Sequence, residues 1–239
     1  MTDSALNRTR LSRSASARIA GAALLAMAAA AAFSYGMVYG TFVVPDDAHA
    51  TFGNLTSSSL LFDAGILGWI AIIAADLVVA WGFYRVLKPV DRRLSLLGAC
   101  LRLVYTVILG VAVTHLAIAS LFAKRAGNPA ADGRLAMETM THVEAFDRIW
   151  SIGLIVFGVH LLIVGYLAWK WKRAPAVLGI LLWIAAAGYI AVHAGNTFFP
   201  LYGEAIRVIE SALQVPMAVG ELGFGIWLLV KAKTFSAEE

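Results

Sequence analysis

LLFDAGILGWIAIIAADLVVAWGFYRVL, Leu60 to Leu87, decides the fold. From Ala64 to Tyr84 its one charged residue is Asp76. A hydrocarbon core about 30 Å thick needs roughly 20 apolar residues in a helix. A strand of a membrane barrel would run about 10 residues with alternating polarity, and no such alternation is present. The stretch therefore predicts a membrane-spanning helix.

Working outward, five more stretches meet the same requirement: Ile19–Val44, Leu94–Phe122, Phe146–Trp169, Ala176–Phe199 and Ala212–Val230. Of the 239 residues 60% are hydrophobic and 14% charged, against about 25% charged in a soluble domain. Mean hydropathy is +0.78. The fold class is all-α, a polytopic transmembrane helix bundle of six spans. Residues 1–18 read as a basic tail, 19–231 as the transmembrane domain and 232–239 as a second tail. An Arg-rich start before an Ala-rich run also occurs in cleaved signal peptides. Here the apolar run continues to Pro45, which favours a span.

The cations give an orientation. Thirteen lie in the N-terminal tail (Arg8 and Arg10 among them), the second-to-third and fourth-to-fifth links, and the C-terminus. The opposite side has five, Lys124, Arg125, Arg134, Arg148 and Arg207, and nine of the 15 acids. Short basic loops stay in the cytoplasm, so both termini are expected there. The net charge of +4 is then a signal of topology, and no nucleic-acid partner is expected. The segment 133–145 reads as a short interfacial helix, and Pro216 as a kink or the start of the regular part of the sixth span. Ala28, Ala32, Gly36 and Gly40 form a small-residue ladder, for packing within the bundle or for a homodimer seam. Cys100, the single cysteine, reads as a packing residue and excludes a disulfide framework.

Four ionisable residues lie deep in spans: Asp76, Arg102, His160 and Glu221. Counted from the nearest basic-side cation, each lies 9 to 12 residues in, about 14–18 Å at 1.5 Å per residue. Four helices thus bring one such group each to a common depth. Intramembrane charges default to function, with Arg102 offering a planar fork of donors to Asp76 or Glu221; a helix-pinning ion pair is the rival reading. A second group, His115, His193, Asn196, Asp63, Glu144 and Asp147, together with His142, reads as an outer vestibule. No metal is predicted, because neither His-x-x-x-His nor Glu-x-x-His spacing occurs. The P-loop, Gly-x-Ser-x-Gly, His-Glu-x-x-His and Gly-x-Gly-x-x-Gly motifs are absent as well, and no cofactor is predicted.

Ordered segments carry a resemblance: Ala17-Arg18-Ile19-Ala20-Gly21, Val44-Pro45-Asp46-Asp47-Ala48, Leu87-Lys88-Pro89-Val90, Arg102-Leu103, Phe157-Gly158-Val159-His160, Gly165-Tyr166-Leu167, Gly188-Tyr189, Phe198-Phe199-Pro200, Gly220-Glu221-Leu222 and Trp227-Leu228-Leu229-Val230-Lys231. Over nearly its whole length the chain resembles a bacterial family of six-helix membrane proteins, domain of unknown function four-three-eight-six. The resemblance implies a bacterial inner-membrane location and one compact domain, and it carries over no activity or site residue. Three functions follow from the residues. The leading one is a protein that binds or transports a small polar or amphipathic ligand among membrane lipids, with Glu221 and His160 as its proton-coupling groups. The second is an intramembrane enzyme using acid/base chemistry on a lipid or isoprenoid. The third is a structural or regulatory protein with an architectural ion-pair layer.

Overall fold

The computed structural model describes residues 12–238. No strand occurs among them. Helix α1 (Arg13–Ala31) continues as a π-helical segment, Ala32–Tyr39, and closes with a turn, Gly40–Phe42. A short α2 (Ala48–Ser57) follows, then α3 (Ser59–Leu87), α4 (Arg92–Ala123), α5 (Pro129–Lys170), α6 (Ala176–Phe198) and α7 (Gly203–Lys231). All but α2 are long and apolar enough to cross a membrane. The chain is a multi-pass membrane protein.

Several helix ends lie beyond the apolar stretches because capping and apolarity are separate signals. Apolar residues mark membrane depth, whereas a helix runs until its terminal amides and carbonyls find partners. Ser12 accepts the Ala15 amide at 3.1 Å, so the first helix starts six residues ahead of Ile19; Arg8 and Arg10 lie outside the described residues. Asp91 accepts the amides of Arg93 and Leu94, both at 3.1 Å. The Leu94 amide above all, with Lys170 and the Arg93 amide, holds the Asp91 carboxyl below the usual carboxylate range.

Four readings of the sequence are revised. Segment 133–145 is the first part of α5, whose 42 residues span about 63 Å, twice the hydrocarbon thickness. Pro216 lies well inside α7, so it does not start the regular part of the sixth span. Cys100 is exposed. Of the two readings of the small-residue ladder, packing within the bundle is the one revised: a Cβ on Gly36 would meet nothing within 4 Å, and Ala32, Gly36 and Gly40 are exposed.

Each span packs against the next in sequence, and α7 returns to α1, so the six form a closed ring. Other glycines make the close crossings. At α5 and α6, Gly165 faces Gly179; a Cβ on Gly179 would lie 2.8 Å from the Gly165 carbonyl oxygen and 3.0 Å from the Trp169 amide nitrogen. Backbone cannot yield as a side-chain tip can. Gly179→Ala is therefore expected to destabilise by about 1–3 kcal/mol through overpacking, lowering the unfolding temperature in micelles. Gly36→Ala should leave it unchanged.

At one end, Trp171 is buried against Trp227 and Phe235 (ring centroids 5.1 and 5.0 Å). Toward the other, Tyr35, Tyr39, Trp69, Phe146 and Trp150 form one aromatic cluster. Trp171 and Tyr39 are buried and Trp150 is half-buried. Aliphatic side chains such as Leu67, Val107 and Val215 are about two-thirds exposed on the outside of the bundle.

Candidate functional site

Gly98, Arg102 and Thr106 stand four residues apart on one face of α4. The Thr106 hydroxyl donates to the Arg102 carbonyl (2.8 Å), which keeps that side chain's polar atom within its own helix. Gly98 has no side chain to shield its carbonyl, and His160 of α5 reaches it, Nδ1 to O, at 2.7 Å. That contact assigns the tautomer. A carbonyl only accepts, so Nδ1 carries the proton. Nε2, 3.3 Å from Arg102 Nη1, must then accept, because a guanidinium only donates. His160 is an uncharged ring with both nitrogens engaged.

The Arg102 guanidinium joins five spans. Its Nε donates to Asp76 Oδ1 of α3 at 2.8 Å, and Nη2 reaches the same oxygen at 2.7 Å. Nη2 also lies 3.7 Å from the Met27 sulfur of α1. Nη1 donates to Glu221 Oε1 of α7 at 2.6 Å and to His160 of α5. Five N–H groups thus have five contacts. Phe83 and Phe157 flank the cation, their ring centroids 5.7 and 5.3 Å from Cζ. Asp76, Arg102 and His160 are fully buried, and the Glu221 side chain is 12% exposed.

The fork closes on one Asp76 oxygen and leaves Oδ2 buried with no hydrogen-bond partner. Two carboxylates face one guanidinium while His160 is neutral. With both acids ionised the layer holds one surplus negative charge, which a proton or a monovalent cation would balance. An isolated charge at the bilayer centre costs at least ~2.5–3.5 kcal/mol.

The four midplane residues singled out from sequence thus meet at one guanidinium. Sequence reasoning missed Met27, the Gly98 carbonyl and the two phenylalanines. A signal existed for the rings: Phe83 lies seven residues after Asp76, and Phe157 three before His160, each on the face of its charged neighbour.

The outer group does not converge. His115 and His142 meet, their Nδ1 atoms 2.9 Å apart. His193 instead faces the Ser151 hydroxyl (3.0 Å) and stacks on Tyr189. Asp63 takes Ser120 and Lys124, both at 2.5 Å. Asp147 accepts from the Tyr39 hydroxyl at 2.6 Å. Glu144 and Asn196 are both exposed. The helical extension of α5 is the cause, because it carries His142, Glu144 and Asp147 as helix-face residues and not on a loop free to fold over the spans. Among the described residues no three His, Cys, Asp or Glu side chains are grouped to hold a metal.

Residues 19–232 match a family described as a domain of unknown function, DUF4386. An uncharacterized protein from Archaeoglobus fulgidus is 30% identical over 173 residues, 72% of this chain and 85% of that protein. No solved structure matches.

Proposed function

Since the chain belongs to the DUF4386 family, we propose that it is a structural or regulatory membrane protein whose charged midplane layer fastens the bundle. One observation carries this reading: a single buried guanidinium has all its donors engaged by groups on α1, α3, α5 and α7, and α4 supplies the guanidinium itself. A site prepared for a ligand would keep some donors for it. The acid/base enzyme reading has less support, since neither nitrogen of His160 is left to exchange a proton with a substrate. In the same reading the basic end and both termini face the cytoplasm of a bacterial inner membrane, following the excess of cations there.

A second reading, proton-coupled binding or transport of a small polar or amphipathic ligand, is favoured by the charge count and by Asp76 Oδ2. One experiment separates the two. A buried ion cluster replaced by apolar residues of similar volume keeps its stability or gains. The triple variant Asp76→Leu, Arg102→Met, Glu221→Leu is therefore expected to purify as a monodisperse, cooperatively melting protein. Wild-type proteoliposomes loaded with a pH-sensitive dye are expected to show no proton movement above empty vesicles. A wild-type proton flux that Glu221→Gln removes, in protein that still melts cooperatively, would overturn the fastening reading in favour of transport.

A further inference from the structure

At the basic end, four helix ends border one open cavity of about 1090 Å³. Arg85, Lys88 and Arg92 line it from the α3–α4 link, and Lys170, Lys172 and Arg173 from the α5–α6 link. Arg13 of α1 joins them; its Nε donates to the Val86 carbonyl at 3.0 Å, and its guanidinium lies 4.8 Å from the Trp171 ring centroid. The acid on these links is Asp91, 3.6 Å from Lys170. Among the described residues that line the cavity or belong to these links, seven are cations and one is an acid. An orientation signal requires only that these cations share a side of the membrane. It does not require that they share a cavity, least of all one as large as the roughly 300–1,000 Å³ of typical small-molecule sites.

We infer that this cavity binds a phosphate group, that of an anionic phospholipid headgroup. The position favours a lipid over free phosphate: the cavity lies where the spans end, at the level of lipid headgroups. Pro89, Val90 and Trp171 add apolar wall beside the cations, suited to a glycerol and the tops of acyl chains. Basic pockets between spans hold anionic headgroups in this way.

The test uses the full-length protein in micelles. Phosphatidylglycerol or phosphatidylcholine is titrated in, and retained lipid is counted by native mass spectrometry. The wild type is expected to keep phosphatidylglycerol in preference to phosphatidylcholine. Lys88→Gln, Arg92→Gln, Lys172→Gln removes three exposed cations. Each basic group near an anionic surface contributes about fivefold, so retention should weaken about a hundredfold. Lys88→Arg, Arg92→Lys, Lys172→Arg keeps the charges and should keep the lipid. Equal retention of the two lipids, or wild-type retention by the neutral triple, would overturn the site. If millimolar inorganic phosphate raises the wild-type unfolding temperature but not that of the neutral triple, while phosphatidylglycerol adds nothing, the lipid assignment falls and a soluble phosphate takes its place.

Discussion

Arg102→Ala is expected to destabilise the folded protein by about 3–5 kcal/mol, the loss seen when one partner of a buried ion pair is removed. The reason lies in what stays behind. Asp76, with no exposure, would lose both donors to Oδ1 and already has none on Oδ2. Glu221 and His160 Nε2 would lose their donor as well. Arg102→Lys should rescue little, because an ammonium lacks the planar fork that reaches four groups at once. The partners should rank by burial: Asp76→Ala, fully buried with two contacts, should be more harmful than Glu221→Ala, which is 12% exposed with one. Unfolding of purified variants in micelles reads both effects. An Arg102→Ala protein that melts with the wild type would show that the layer does not fasten the helices.

Phe146→Ala should be as damaging, about 3–5 kcal/mol, although it touches no charge. Phe146 has no exposure and packs against Tyr39, Trp69 and Trp150 at centroid distances of 5.4, 5.2 and 5.5 Å. These rings tie α5 to α3 and to the π-helical end of α1, away from the charged layer, so their loss should not be shared with Arg102. Two tryptophans in the cluster make near-ultraviolet circular dichroism and fluorescence direct reporters of the change. Phe198→Ala removes a ring that is 67% exposed and should leave the unfolding temperature close to wild type in the same assay.

The spans were legible in the sequence because the hydrocarbon core imposes a length that composition reveals directly. The common depth of Asp76, Arg102, His160 and Glu221 was legible for the same reason: each could be counted from a cation held at one surface. Their partners were not. Met27 and the Gly98 carbonyl carry no charge to mark them, and whether a face turns inward depends on neighbours the chain meets far along its length. The outer group misled because a polar stretch, 133–145, reads from sequence as a short interfacial helix separate from the span. Polar residues make good helix as long as the backbone is bonded internally, and α5 runs unbroken through this stretch. The Gly165–Gly179 crossing went unread because a glycine's role appears only when the opposing backbone is known.

The closed ring has a consequence for how this chain can be cut. The first and last spans pack side by side, and Arg13 lies 5.6 Å from the Phe235 ring centroid, so the two ends of the described polypeptide are neighbours. Six is an even number of crossings, and a short linker would join those ends without traversing the bilayer. Packing therefore names no span as the beginning. New termini opened in any link would leave every neighbour relation intact, which makes the bundle a natural scaffold for circular permutation.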